Sequence, residues 1–268
     1  MKRLFLLLMA SALFTMPSCT DDDGTVTKPT NPDLKAATSA NVQVSLTGND
    51  AQNTYAVGDT LTFSNGYELF LSKFKFYLSN FTLVHEDGRT FEFKDVILGD
   101  FSESESLQFN DSVPLGKFTK IRFGLGLDPA LNDLQPENFP REHPLSTYNQ
   151  MYWTMLKYRF AIFEGKANQS GQLGTSDDAL LAYHPGTDPL YQIYTAPIDF
   201  NIADDNSELD LAIFFNVYRL FEDPSGTNTI DMMNEPQSHS AANDIDIAVK
   251  FMNNWREATS VKAIVVTP

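Results

Sequence analysis

Alternation between hydrophobic and polar residues recurs along most of the chain, and this period of two is typical of half-buried β-strands. The longest such segment covers residues 73–86. Its apolar side chains change phase at Ser79-Asn80, which predicts a β-bulge or a bend in the middle of the strand. The two sets are Phe74, Phe76 and Leu78 before the change and Phe81 and Leu83 after it.

The same pattern predicts about ten strands in all, with turns at Asn65-Gly66 and Asp87-Gly88. Only residues 244–258 show helical spacing, with Asn243 as the expected N-cap. Because no segment repeats at a solenoid or propeller length, the economical fold is an all-β, antiparallel β-sandwich with long loops and one late C-terminal helix. The other predicted strands cover residues 41–46, 60–63, 68–71, 90–98, 108–113, 118–127, 158–163, 179–183, 195–202 and 208–216.

The start of the chain is typical of a bacterial lipoprotein. A basic dipeptide, Lys2-Arg3, precedes a short apolar run, and the run leads to Ser18-Cys19, which resembles the site cleaved by lipoprotein signal peptidase. We therefore expect residues 1–18 to be a signal peptide, residues 19–40 to be a lipidated cysteine with a flexible tether, and residues 41–268 to be the folded domain.

This N-terminal signal predicts an outer-membrane lipoprotein that is held in the membrane by the acyl chains on Cys19. The acidic run after the cysteine, from Asp21 to Asp23, resembles the surface-export signal of Bacteroidota lipoproteins. A merely solvated acidic linker would leave the protein on the periplasmic side, so periplasmic and surface-exposed locations both stay open. Cys19 is the sole cysteine, and the fold must therefore be stable without a disulfide.

The balance of charge narrows the range of partners. The chain has a net charge of −16, and removal of the signal peptide with its two basic residues leaves 17 basic against 35 acidic residues, or −18. So acidic a protein repels phosphate backbones, and we expect no nucleic-acid partner.

The signatures of the common enzyme classes do not occur, which favours a binding protein over an enzyme. The sequence has no nucleophile elbow, P-loop, Rossmann glycine pattern, H-E-x-x-H or C-x-x-C. Chemistry-bearing side chains are instead concentrated in residues 143–165, where Trp153 stands between Met151 and Met155. Sulfur and oxidisable rings in such proximity suit a soft metal or redox chemistry, although aromatic and Met side chains also fill ordinary β-protein cores.

Three of the four histidines, His143, His184 and His239, lie in separate predicted loops. Loops at one end of a β-sandwich can converge, and together with Met151 these residues would form a nitrogen and sulfur site suited to copper. His85 stands beside the Asp87-Gly88 turn and is expected on the surface. Calcium held by loop carboxylates is a further possibility, although they lack the spacing of an EF-hand. These carboxylates are Asp177, Asp178, Asp204 and Asp205.

Several segments resemble, in the same order, the motifs of one known family. They are residues 74–83 followed by Asp87-Gly88, residues 123–128, Met151-Tyr152-Trp153, Glu164-Gly165, His184-x-Gly186, and residues 211–221 followed by Met232 and His239. On these motifs the chain resembles, over residues 41–255, the MbnP-like family of periplasmic copper-binding proteins named for methanobactin gene cassettes. The resemblance implies copper binding without enzymatic activity.

The resemblance also implies how the copper site is built and matured. Family members are associated with di-haem cytochrome c peroxidases of the MauG type, and in characterised members a motif tryptophan is oxidised to kynurenine at the copper site. On the matching positions, Trp153 is the tryptophan to be modified. His184 and His239 are the motif histidines, and Met151 is the motif methionine.

Two positions depart from the family pattern. The family often has W-x-W where this chain has Trp153-Thr154-Met155, and some members have Asn-His where it has Asn132-Asp133. The second difference removes a candidate ligand, and whether His143, ten residues further on, replaces it stays open. The alternative function is that of a surface adhesin or glycan-binding lipoprotein without metal, whose aromatic residues stack on sugars.

Overall fold

The computed structural model describes Leu34, residues 36–49 and residues 53–267. The expected signal peptide and Cys19 lie outside these residues. Residues 36–40, which the composition assigns to the tether, form the start of the first strand, where Thr38 and Ala40 are buried. Their small side chains produce no alternation of large apolar residues, so the pattern does not reveal the strand. Within the described residues, no helix is both long and apolar enough to cross a membrane.

Fifteen β-strands and two α-helices form the described part of the chain. The strands are β1 (Ala36–Thr47), β2 (Thr54–Tyr55), β3 (Thr60–Thr62), β4 (Glu68–His85), β5 (Thr90–Asp100), β6 (Gln108–Pro114), β7 (Gly116–Leu125), β8 (Tyr152–Trp153), β9 (Lys157–Tyr158), β10 (Ala161–Asn168), β11 (Ala179–Tyr183), β12 (Gln192–Ile202), β13 (Glu208–Asn216), β14 (Gln237–Ser238) and β15 (Thr259–Val266). The helices are α1 (Pro129–Asn132), which is a single turn, and α2 (Ile245–Ala258).

The strands form two large sheets and a separate two-stranded hairpin. In the first sheet the order is β15-β13-β1-β2, with β6 also paired to β1. In the second sheet the order is β12-β7-β4-β10-β11-β14, with β3 and β5 also paired to β4. The hairpin consists of β8 and β9. This architecture confirms the predicted all-β sandwich with a late helix.

Two strand pairs run parallel, which the sequence pattern does not predict. β1 is parallel to β13 from Ala40↔Leu209 to Thr47↔Asn216, and β11 is parallel to β14. Hydrophobic alternation identifies the buried face of a strand but not its direction, and no short turn constrains strands that are far apart in the chain. The parallel pair of β11 and β14 ends next to the candidate site.

β4 is the longest strand and runs through the middle of the second sheet. It merges two segments that the sequence predicts separately, residues 68–71 and 73–86. The predicted irregularity is present, because Asn80 has φ +56° and the pairing with β7 shifts between Ser79 and Thr82. The change of phase in the sequence therefore corresponds to a bulge inside one continuous strand.

The core between the sheets is aromatic. Phe76 of β4 lies 5.2 Å from Phe215 of β13 and 6.0 Å from Trp255 of α2, measured between ring centroids. Trp255 is fully buried, as the helical spacing of the apolar residues implies. The late helix is therefore part of the core that joins the two sheets.

The N-cap of α2 is Asp244, not the expected Asn243, and its side chain makes no capping hydrogen bond. The carboxylate instead accepts hydrogen bonds from the preceding loop, from the N–H groups of His239 at 3.0 Å and Ala241 at 2.8 Å. Asp244 thus shapes the loop that carries His239.

Candidate functional site

Two of the predicted site histidines are brought together by a pair of parallel strands. β11 ends at Tyr183 and β14 ends at Ser238, and these two residues are partners in the pairing register. His184 and His239 are the next residues on each strand, so they leave the sheet side by side. Their imidazole rings lie 4.9 Å apart between centroids at an angle of 89°. The N–H of His184 also donates to the carbonyl of Ser238 at 2.8 Å.

Ser240 ties the two histidine loops to each other. Its hydroxyl accepts a hydrogen bond from the N–H of Gly186 at 3.0 Å and donates to the carbonyl of His184 at 3.3 Å. Ser240 is buried and has φ +58°, a left-handed conformation that is uncommon for a residue with a side chain. The hydroxyl therefore satisfies two backbone groups of one loop from the other loop.

Glu164 on the neighbouring strand contacts the His184 ring directly. In the register of β10 and β11, Glu164 is paired with Ala182, and alternation along the strand places His184 on the same face as Ala182. Glu164 Oε1 lies 3.0 Å from His184 Nε2. On its other side, Glu164 is paired with Lys73 of β4, whose Nζ lies 3.4 Å from Oε2. Lys73, Glu164 and His184 thus lie in a row of contacting side chains across β4, β10 and the end of β11.

The surroundings of His184 keep its imidazole neutral. Only 7% of the residue is exposed. Burial, followed by the positive charge of Arg159, lowers the pKa of His184 to about 4, although Glu164 acts in the opposite direction. At neutral pH the ring therefore has a free lone pair on one nitrogen, which is the state that can bind a metal ion.

Trp153 lies at the outer side of this histidine pair. It belongs to the β8–β9 hairpin, and its ring lies 5.9 Å from that of His239 between centroids, at 76°. The hairpin is joined to the His184 loop through Arg159, which forms an isolated β-bridge with Gly186. About a third of Trp153, 36%, is exposed. Trp153, His239 and His184 thus form a row from the surface inward.

Met151 and His143 occupy different surroundings. Met151 is fully buried in the hydrophobic core, and its carbonyl accepts a hydrogen bond from the Arg159 N–H at 2.9 Å. His143 stacks on Phe139 at 4.1 Å, and its Nδ1 accepts a hydrogen bond from the Leu145 N–H. His143 also lines a surface cavity bordered by β5 and β6. The structure thus shows contact between two of the three predicted loop histidines, and places His143 against other residues.

The position where some family members have histidine is occupied here by an ion pair. Asp133 pairs with Lys157, and Lys157 is the register partner of Trp153 in the hairpin. The neighbouring Asn132 is buried and donates to Asp188 at 2.7 Å. Position 133 therefore lies beside the tryptophan hairpin, where the ammonium group of Lys157 engages the carboxylate of Asp133.

The remaining candidate residues make local contacts. His85 Nδ1 lies 2.9 Å from Asp87 at the β4–β5 turn. Asp178 accepts hydrogen bonds from Asn168 and Gly174, and Asp204 accepts one from the N–H of Asn206. Among the residues that the structure describes, no group of three or more His, Cys, Asp or Glu side chains has the arrangement of a metal site.

The donor set of the candidate site is therefore a pair of imidazoles with a tryptophan beside it. Imidazole nitrogen is a suitable ligand for copper, zinc, iron and nickel, so the pair fits a transition metal as a partial site. Glu164, Arg159, Ser240 and Asp244 received no role from the sequence. The signal for Glu164 is present, since it is the single charged residue of the otherwise apolar segment Ala161-Ile162-Phe163-Glu164-Gly165.

Comparisons with known proteins agree with this architecture. The sequence profile of the MbnP family matches residues 39–242, a range that contains Glu164, His184 and His239. Among solved structures, MbnP from Methylosinus trichosporium is similar with a TM-score of 0.53 and 16% sequence identity, over 84% of this chain and 98% of that chain. At this identity the likeness shows a shared fold. No curated protein matches the chain. Because the family profile covers most of its length, the chain belongs to the MbnP family.

Proposed function

We propose that the protein is a non-enzymatic copper-binding protein of the cell envelope, with His184 and His239 as its copper ligands. The observation that carries the proposal is the pair of perpendicular imidazoles whose centroids are 4.9 Å apart. Family membership supports the choice of copper, because the resemblance implies that metal. Bound copper would supply a one-electron redox centre, and the imidazoles of His184 and His239 would hold it.

Two imidazoles alone would not complete the coordination of a copper ion, so further ligands are expected. His184 is neutral at pH 7, so it need not lose a proton before it binds a metal ion. Met151 stays a candidate sulfur ligand, since its backbone is joined to Arg159 and through it to the His184 loop. His143 would need a rearrangement to reach the pair, because its ring is stacked on Phe139.

Trp153 is proposed as the position of oxidative maturation. Its partial exposure would let an oxidant act on it, and its contact with His239 supports a product that would lie beside the proposed copper ligands. Conversion to kynurenine adds two oxygen atoms across the C2–C3 bond of the indole, breaks that bond, and then releases the formyl group as formate by hydrolysis. The resulting aromatic amine and ketone would add donor atoms to the two imidazoles. A di-haem cytochrome c peroxidase of the MauG type would supply the oxidising equivalents from hydrogen peroxide, because the addition of two oxygen atoms is a four-electron oxidation that consumes two molecules of peroxide and releases two molecules of water.

The proposed location rests on the N-terminal sequence. Lipidation of Cys19 would anchor the protein in the outer membrane, with the β-sandwich on the periplasmic or the outer face. Either face is compatible with copper capture in the cell envelope.

Copper titration of the metal-free protein tests the proposed function. The wild-type protein should bind an equimolar amount of copper, and His184→Ala and His239→Ala should each lower the affinity at least tenfold while the protein stays folded. His85→Gln is the matched control, because this histidine lies at the β4–β5 turn. A wild-type protein that binds no copper but retains glycans on an array would contradict the proposal and support the adhesin alternative.

A further inference from the structure

We propose that Glu164 is a positioning residue that fixes the tautomer of His184, so that Nδ1 is the nitrogen that binds copper. The inference rests on the proposed copper function and assigns an atom and a supporting residue to it. Glu164 would act through His184, and it would not itself touch the metal.

The hydrogen bond between the two side chains determines the tautomer. An ionised carboxylate only accepts hydrogen bonds, so the proton of a neutral His184 imidazole must lie on Nε2, 3.0 Å from Glu164 Oε1. The lone pair is then on Nδ1. Metal-binding histidines commonly donate their second ring N–H to a carboxylate, which fixes the orientation of the ring and raises its basicity. Glu164 is placed to act as this carboxylate.

The sheet holds Glu164 from both sides. Its strand β10 lies between β4 and β11 in the second sheet. Oε1 is engaged by His184 and Oε2 lies 3.4 Å from Lys73 Nζ. The Lys73 contact is partly exposed and adds little stability, but it leaves the carboxylate with one orientation that serves both partners. The His184 ring is thereby aligned without help from the metal.

A competing role for Glu164 is that of a direct copper ligand. The two roles differ in their response to Glu164→Gln and Glu164→Ala. The glutamine oxygen can still accept the hydrogen bond from Nε2–H, so a positioning role is largely rescued by Gln and lost with Ala. A direct carboxylate ligand is lost with both substitutions.

Nitrogen-15 NMR of the His184 side chain in the metal-free protein at pH 7, combined with copper titration, tests the inference. We expect the Nε2–H tautomer in the wild-type and Glu164→Gln proteins, and a mixture of tautomers in Glu164→Ala. Copper affinity should fall by less than about tenfold in Glu164→Gln and by about 10- to 100-fold in Glu164→Ala. Glu86→Gln is the matched control, since Glu86 is an exposed carboxylate beside Lys117 at the β4–β5 turn.

Two results would overturn the inference while leaving the proposed function intact. One is a wild-type His184 with its proton on Nδ1, and the other is an equal loss of copper affinity in Glu164→Gln and Glu164→Ala. A wild-type protein without copper affinity would instead overturn the proposed function. The NMR measurement on the metal-free protein separates these cases, because it reports the Glu164–His184 pairing whether or not copper binds.

Discussion

His184 and His239 follow register partners of two parallel strands, and their imidazole rings meet almost at right angles with centroids 4.9 Å apart. Backbone pairing brings the two histidines together, because the residues that precede them, Tyr183 and Ser238, are partners in the sheet. The side chains of Ser240 and Asp244 then hold the loops in place by accepting hydrogen bonds from backbone N–H groups. A site made in this way should be present before any metal arrives.

Substitution of Ser240 tests whether the two loops depend on its hydroxyl. Ser240→Ala leaves the N–H of Gly186 and the carbonyl of His184 without this partner in a buried setting. We expect the free energy of unfolding to fall by about 1–3 kcal/mol. Urea denaturation measures it, with Ser112→Ala at an exposed position of β6 as the control, for which we expect a change within about 0.5 kcal/mol. Equal stabilities of the two variants would contradict the bridging role.

The stability of the metal-free protein should fall as the pH decreases from about 6.5 to 4. Burial lowers the pKa of His184 to about 4 in the folded state, while the unfolded chain binds this proton near the ordinary value of 6.5. Between these values the unfolded state binds more protons than the folded state, so stability decreases with falling pH. The stability that comes from the neutral state of His184 is fully present above pH 6.5. Below that pH, the free energy of unfolding falls because of His184 by at most about 1.4 kcal/mol per pH unit.

Chemical denaturation over this pH range isolates the contribution of His184 when the wild type is compared with His184→Gln. The variant should have the smaller slope, since the remaining titratable groups, which are the carboxylates and the other histidines, are shared by both proteins. Identical slopes in the wild-type and His184→Gln proteins would show that His184 is not held neutral by the fold.

The two tryptophans should differ in their contribution to stability. Trp255 is fully buried against Phe76 and Phe215, so Trp255→Ala should cost about 3–5 kcal/mol. Trp153 is partly exposed on a short hairpin, and Trp153→Ala should cost less than about 1 kcal/mol. Guanidinium denaturation of both variants gives the comparison. A larger loss for Trp153→Ala would assign that residue to the core and weaken its role in the site.

Much of the fold is readable from the sequence, whereas the direction of strands and the polar support of the site are not. Alternation reveals β4 and its bulge at Asn80, because most of the buried side chains of this strand are large and apolar. It does not reveal the parallel pairing of β11 with β14, which depends on contacts between distant residues. The contact between His184 and His239 follows from that pairing, and in the sequence it is indicated by the loop positions of the two histidines and by the family motifs.

The supporting residues are hidden for a different reason. Glu164 belongs to the motif Glu164-Gly165, but the motif does not state what its carboxylate contacts, which depends on the register that sets Glu164 opposite Ala182. Ser240 resembles any loop serine until its hydroxyl is seen between two backbone groups. His143 shows the reverse case, since its place in a polar loop suggested a ligand and the structure stacks it on Phe139.

Lipid anchoring predicts the behaviour of Cys19→Ala in cells. The acyl chains of a lipoprotein provide the apolar area that keeps such a protein on a membrane, and the substitution removes their point of attachment. The variant should move from the membrane fraction to the soluble fraction of the envelope, as followed by immunoblotting. Unchanged fractionation of the variant would refute the anchor.

The central claim is that copper binds between His184 and His239, and an anomalous difference map at the copper edge tests it most directly. Crystals of the copper-loaded protein should show one strong peak between the two imidazoles, with Cu–N distances of about 2 Å, close to those of zinc. The peak should disappear in His184→Ala and persist in His85→Gln. A peak at His143, or at another position away from the histidine pair, would contradict the account.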